Sequence, residues 1–258
     1  MGSDQFYNTT DYSISGANKN PDIEIPDAES YNAVDYFSLS HPLRGFTSRI
    51  VLQSRQNMFK MFMKTMKPSP LDLVVDVGIT PDTTLKDSNF FEKLYPYPER
   101  LVTTSIENAS NITKIFPMIR FVRTPGDALP FRDNAFDFLF CSAVLEHVGD
   151  DVCQKKFIKE ILRISKQFFI TTPNRMFPVE FHTFLPLIHW LPRRYHQTIL
   201  SRTGNSFWSE TENLNLITPQ KLRTLFPDNS DLHINYHFLM GIPSNIIAYG
   251  RSPENQLS

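Results

Sequence analysis

Between residues 71 and 172 short apolar runs alternate with longer amphipathic stretches, an alternation that predicts a parallel sheet covered by helices on both faces. Leu71 to Gly78 (LDLVVDVG), Leu101 to Glu107 (LVTTSIE), Ile119 to Arg123, Phe136 to Ser142 (FDFLFCS) and Gln167 to Thr171 (QFFIT) have strand length. Ser88 to Leu94 (SNFFEKL) reads as a helix capped by Ser88 or Asn89, and Asp150 to Ile164 has helical spacing. Upstream, Phe59, Phe62, Met63 and Met66 fall at i, i+3, i+4 and i+7 within Ser48 to Met66, and Pro68-Ser69-Pro70 ends that helix. Leu232 to Leu239 and Asn245 to Tyr249 read as a closing antiparallel pair. The expected fold class is therefore α/β, a mostly parallel seven-stranded sheet with helices on both faces and a terminal antiparallel pair.

Composition narrows the functions this architecture can serve. The 258 residues, 41% of them hydrophobic, suffice for one sizeable domain. Residues 1–39 read as an acidic arm outside it: from Met1 to Tyr36 seven acids stand against Lys19 alone, without hydrophobic periodicity. Residues 40–258 then form the domain, with an insertion at about 173–230. A formal net charge of -1 gives no whole-molecule attraction for nucleic acid, and no added recognition domain is evident, so nucleic acid is not an expected partner. The basic residues concentrate instead between Ser40 and Lys67, where Arg44, Arg49, Arg55, Lys60, Lys64 and Lys67 meet no acid. Two cysteines, Cys141 and Cys153, are too few for a disulfide framework and read as reduced thiols, which fits a cytoplasmic protein. The start lacks a charged and apolar signal pattern, and Met1-Gly2-Ser3 is followed by Phe6 where a myristoylation motif wants Ser or Thr.

Three motifs in order carry a family resemblance. Asp76-Val77-Gly78 ends the first strand, Gly126-Asp127-Ala128-Leu129-Pro130-Phe131 with Phe136-Asp137 leads into the fourth, and Val144-Leu145-Glu146-His147-Val148 forms the turn after it. Over about Leu71 to Thr172 the chain resembles class I S-adenosylmethionine-dependent methyltransferases, particularly the small-molecule group of quinone and related biosynthesis. That resemblance implies their Rossmann-like fold, S-adenosyl-L-methionine as cofactor, and a site outside the carboxyl ends of the strands. Its implied cofactor contacts are Asp76, Gly78, Thr80, Glu107, Asp127, Ala128, Ser142 and Ala143. Glu107 would accept from the ribose hydroxyls and Asp127 from the adenine amino group, while Ser142 and Ala143 leave room. A helix beginning after Gly78 would favour the methionyl carboxylate. The chain departs from the family in reading Ile79-Thr80-Pro81-Asp82 where further glycines are usual. A nicotinamide cofactor is disfavoured, because no G-x-G-x-x-G follows the first strand.

The stretch Phe177 to Pro192 (FPVEFHTFLPLIHWLP) is the chain's most unusual part. It is too short and too polar to span a bilayer, which takes about 20 apolar residues, and it falls where this superfamily inserts a substrate cap. Apolar walls with sparse polar groups suit an acceptor pocket. Glu180 and His182 are two apart; on an extended piece they would project to the same side, letting the acid orient the imidazole as a base, and His147 joins them as a catalytic candidate. No metal is required for the expected chemistry, methyl transfer to a small-molecule or lipid- or glycan-linked acceptor. Peripheral membrane contact through the 48–67 helix or the 177–192 cap is a further expected partner. The alternative is a non-catalytic ligand-binding or scaffold protein on the same fold, with a degenerate cofactor loop at 79–82.

Overall fold

A computed structural model describes residues 44–253 except 84, 86, 181, 184 and 212, so the expected arm at 1–39 lies outside the described residues. The sheet has seven strands: β1 (Val74–Val77), β2 (Leu101–Ser105), β3 (Arg120–Arg123), β4 (Phe136–Ser142), β5 (Ser165–Pro173), β6 (Asp231–Leu239) and β7 (Ile242–Arg251). Their order is β3-β2-β1-β4-β5-β7-β6, with β7 antiparallel to both neighbours and the remaining pairs parallel. Strand order reverses between β1 and β4, which opens the crevice that ligands use in such sheets. Register sets Val77 beside both Thr104 and Cys141, so the chain leaves β1, β2 and β4 at one level.

Six α-helices are described: α1 (Arg44–Met66), α2 (Phe90–Leu94), α3 (Ile112–Ile115), α4 (Asp151–Ile164), α5 (Arg193–Arg202) and α6 (Pro219–Arg223). The apolar stripe of α1 packs on the sheet: Phe62 meets Phe91, Phe140 and Phe169 edge-on, with ring centroids 5.3, 5.4 and 5.6 Å away. Phe62 is fully buried, and its truncation to Ala would cost about 3–5 kcal/mol. Lys60, Lys64 and Lys67 remain exposed on the opposite side. On the other face, Phe157, Ile158 and Ile161 of α4 and Leu222 of α6 cover Val75, Leu139 and Phe168. Asp150 caps α4, accepting from the backbone N–H groups of Val152 and Cys153 at 2.9 Å.

Several boundaries differ from the sequence reading for local reasons. Leu71 is 82% exposed and lies before β1, because the Asp72 carboxylate accepts from Ser69 N and folds 69–72 into a turn. β2 stops at Ser105, whose hydroxyl accepts from Glu107 N and turns Glu107 out of the ladder. Asn89 does sit before α2, but in the left-handed region with no cap bond; its amide is engaged elsewhere. The closing strands run longer than expected, since β5, β6 and β7 support one another along their lengths.

Candidate active site

One cavity of about 740 Å³ opens at the carboxyl ends of β1, β2 and β4 and runs beneath the segment between β5 and β6. Asp76, Gly78, Thr80, Glu107, Asp127, Ser142, Ala143, His147 and His182 line it. Two expected residues do not. Ala128 is turned away, its carbonyl accepting from the Thr124 hydroxyl at 3.0 Å, and Glu180 sits behind His182.

The strand-end wall is set by packing and by backbone hydrogen bonds. Gly78 has φ +102, and a Cβ there would come within 2.1 Å of Val144 Cγ2, so glycine is required to seat β1 against the turn after β4. The next residues hold their course without further glycines. Gly78 N and Ile79 N both donate to Thr104 O, at 2.9 and 3.0 Å. The Asn89 side chain then closes the 80–89 loop, accepting from Thr80 N at 3.1 Å and donating to Thr80 O at 2.9 Å and Asp82 O at 3.0 Å. The helix that follows Gly78 is the one expected at Ser88 to Leu94: α2 begins at Phe90 and has five residues, and the asparagine-locked loop occupies the chain between it and β1. Ala143, with φ 57, takes the left-handed conformation at the end of β4. The loop presenting Asp127 is tied to α4, where Leu129 N donates to Glu160 Oε1 at 2.8 Å and Arg163 donates to Leu129 O and Phe131 O.

Acidic groups dominate this wall. Burial pushes the Asp76 carboxyl well above its ordinary range, and the neighbouring Glu92 adds to the rise; burial also raises Glu92. Two carboxyls side by side in a buried site share a proton unless a cation joins them. Glu107, partly buried, is raised by burial too.

The far end of the cavity is a polar cluster assembled from distant parts of the chain. Glu146 and His147 come from the single turn Leu145–His147 after β4, whereas Glu180 and His182 lie between Val179 and Pro186, which are joined by an antiparallel bridge. Glu180 and His182 meet through the Glu180 carboxylate, which also takes nearby backbone donors. The Glu180 carboxylate accepts from His182 N at 2.8 Å, from Thr183 N at 2.7 Å, from the Thr183 hydroxyl at 2.8 Å and from His182 Nδ1 at 2.5 Å. Burial would raise its pKa, but the His182 charge and these donors outweigh it and hold Glu180 down to about 2; the same contact raises His182 against burial. Glu180 is thus a positioning residue, its oxygens spent on orienting the imidazole. His147 Nδ1 lies 2.6 Å from Asn213 O, and burial lowers its pKa to about 3. Burial raises Glu146 to about 7. Its Oε2 accepts from the Thr172 hydroxyl at 3.0 Å, and its Oε1 has no hydrogen-bond partner among the described residues. The rings of His147 and His182 stand 5.0 Å apart, and Trp208 covers His182 at 4.6 Å.

Sequence reasoning passed over Glu146, Glu92 and Arg55 as site residues. Glu146 lies within the Val144–Val148 turn motif, where spacing gives its position and not its burial. Arg55 reaches the cavity from α1 and pairs with Asp87 at 3.0 Å, a contact between segments that no spacing reveals.

Known proteins place this architecture. Residues 98–168 match the family model described as a methyltransferase domain. The fold is that of class I methyltransferases. It is shared with magnesium protoporphyrin IX methyltransferase from Synechocystis, solved with bound SAH, at 13% identity and a TM-score of 0.52 over 84% of this chain and 91% of that one. It is shared equally with geranyl diphosphate C-methyltransferase from Streptomyces coelicolor (12%, TM-score 0.51, 86% and 88%). A third is the PH0226 protein from Pyrococcus horikoshii (14%, TM-score 0.51, 84% and 95%). No curated protein matches the chain in sequence.

Proposed function

We propose that this chain is an S-adenosylmethionine-dependent methyltransferase acting on a small-molecule or lipid- or glycan-linked acceptor. The observation that carries the reading is the single cavity joining the acidic strand-end wall to the polar cluster under the cap. The residues present fit the cofactor. Asp76 and Glu92, which burial keeps protonated in the free chain, can give up a proton to face a ligand bearing ammonium and sulfonium groups, and neither Glu92 oxygen has a hydrogen-bond partner among the described residues. Glu107 stands at the end of β2 to take the ribose hydroxyls, and Asp127 reaches the cavity rim for the adenine amino group. The loop at 79–82 keeps a defined course through Asn89, which argues against the scaffold alternative.

When bound, the cofactor supplies an electrophilic methyl group on a positively charged sulfur. The chain's own residues align the partners and exclude water. Trp208, Leu200 and Leu214 form the apolar core of the cap, and His182, packed on Trp208, faces the cavity from it. His147 and His182, held by Asn213 O and Glu180, orient the acceptor at this end. Two of the neighbours support a small organic acceptor, one being a magnesium protoporphyrin IX methyltransferase and the other a geranyl diphosphate C-methyltransferase.

The cap also supports a lipid-linked acceptor. Leu187, Trp190, Leu191 and Tyr195 are 48%, 45%, 38% and 50% exposed beside the exposed Arg193 and Arg194, a combination suited to an anionic interface. Among the described residues, no helix is long and apolar enough to cross a membrane. The two free thiols fit a cytoplasmic setting. The test is to incubate the full chain and methyl-labelled S-adenosylmethionine with small-molecule and lipid extracts of cells. Label in one of these fractions is expected; its confinement to nucleic acid or its absence from every fraction contradicts the reading.

A further inference from the structure

We infer that Glu146, His147 and His182 form a binding site for a divalent first-row transition ion at the acceptor end of the cavity. One donor atom from each residue lies within 4.8 Å of the others, and Glu146 Oε1 is 3.9 Å from His147 Nε2. Two imidazoles and one carboxylate are a donor set such ions take, with Zn²⁺ or Fe²⁺ the common occupants and further positions left open. Bonds of about 2.0–2.1 Å set tetrahedral donors roughly 3.3 Å apart, so the cluster needs to contract by at most about 1.5 Å.

The surroundings point the same way. Metal-binding histidines donate their other ring N–H to a carboxylate or a backbone carbonyl, which fixes the tautomer and aims the coordinating nitrogen. Both arrangements occur here: His182 Nδ1 meets Glu180 Oε1 and His147 Nδ1 meets Asn213 O. The third donor follows the pattern, since Thr172 holds Glu146 Oε2 and leaves Oε1 turned toward the histidines. Glu146 is fully buried, and Oε1 has no hydrogen-bond partner among the described residues. A buried carboxylate oxygen in that condition is costly unless a cation meets it. Trp208 closes the side toward the cap, while His147 and His182 line the cavity. The ion's open positions therefore face the acceptor space, where a hydroxyl or carboxylate oxygen of the acceptor binds. This assignment rests on the methyltransferase reading only for calling that space the acceptor's; the site itself does not depend on it.

The experiment uses the full chain, stripped with a chelator and titrated with Co²⁺, followed by visible ligand-field absorption, then with Zn²⁺ in competition. One equivalent is expected, with His147→Ala, His182→Ala and Glu146→Gln each weakening affinity by at least about 10-fold, and Glu180→Gln by about 10–100-fold through loss of orientation. His233→Ala, a change at an exposed histidine on β6, should leave affinity unchanged. Circular dichroism and S-adenosylhomocysteine titration accompany every variant; if an alanine variant fails to fold, His182→Asn replaces it. Cobalt absorption that persists in the folded cluster variants but falls in His233→Ala, or the absence of any stoichiometric binding, overturns the site. Cofactor binding without metal binding sinks this inference alone, whereas metal binding without cofactor binding sinks the methyltransferase reading and leaves the site standing.

Discussion

The two ends of the cavity are built in different ways. At the strand-end wall, the sheet does most of the placing: register aligns β1, β2 and β4, Gly78 and Glu107 come just after β1 and β2, and Ser142 is the last residue of β4. At the cap end strand geometry gives one anchor, Thr172 of β5, and the rest comes from loops. Glu146, His147, Glu180 and His182 meet because Asn213 O, Thr172 and the bonds of the Glu180 carboxylate to His182 and Thr183 hold them, across up to 66 residues of sequence. The first end can lose a side chain and keep its shape; the second is a network whose members support one another. Networks of this kind fail cooperatively.

The comparison breaks most visibly at Glu180. Replacing it with alanine leaves His182 and the Thr183 N–H buried without their acceptor, and removing one member of a buried pair costs about 3–5 kcal/mol. A scan should show the melting point falling by about 10 °C, at roughly 2–4 °C per kcal/mol for a domain of this size. Affinity for S-adenosylhomocysteine should stay within about threefold; its collapse would mean that the two ends are one unit.

Ligand at the strand-end wall should act in the opposite direction. S-adenosylhomocysteine at about 100 times its dissociation constant adds about 2.7 kcal/mol, a rise of several degrees by thermal shift. Glu107→Ala should weaken that binding by about 1.5–3 kcal/mol in a calorimetric titration, with an unchanged melting point for the ligand-free chain. Destabilisation of the free chain by this variant would show that Glu107 serves the fold and not the ligand.

The smallest effect concerns pH. Asp76 and Glu92 both have raised pKa values, so the folded state keeps protons that the unfolded state has released. Between the ordinary carboxylate range and the raised values, the ligand-free chain therefore loses stability as pH rises. Glu92→Gln should flatten that slope and raise the melting point at pH 8, by on the order of 1 kcal/mol in stability. An unchanged slope would mean that the two carboxyls do not interact.

The same contrast explains what was legible in the sequence. The order and number of strands followed from apolar runs, and the motifs at Asp76, Glu107 and Asp127 sat at strand ends because strand ends are visible as changes of pattern. Asp150 was read as the first residue of a helix and is its cap, a difference of one position. The cap-end cluster was only half readable. Glu180 and His182 stood out by type, and the acid does meet the imidazole, but its carboxylate also takes the nearby N–H groups of His182 and Thr183, which spacing on an extended piece did not suggest. Glu146 could not be distinguished from an ordinary turn acid, because its burial depends on the return segment at 213–215, where Asn215 N donates to Glu146 O. Likewise Asn89 looked like a helix cap and is instead the brace of the 80–89 loop.

The most direct test is a crystal structure of the full chain with S-adenosylhomocysteine. Two positions are predicted: the ribose hydroxyls within hydrogen-bond distance of the Glu107 carboxylate, and the sulfur turned along the cavity toward His147 and His182. A ligand seated outside the cavity, or one lying within it with its ribose away from Glu107 and its sulfur away from the histidine cluster, would contradict the division of the site into a cofactor wall and an acceptor end.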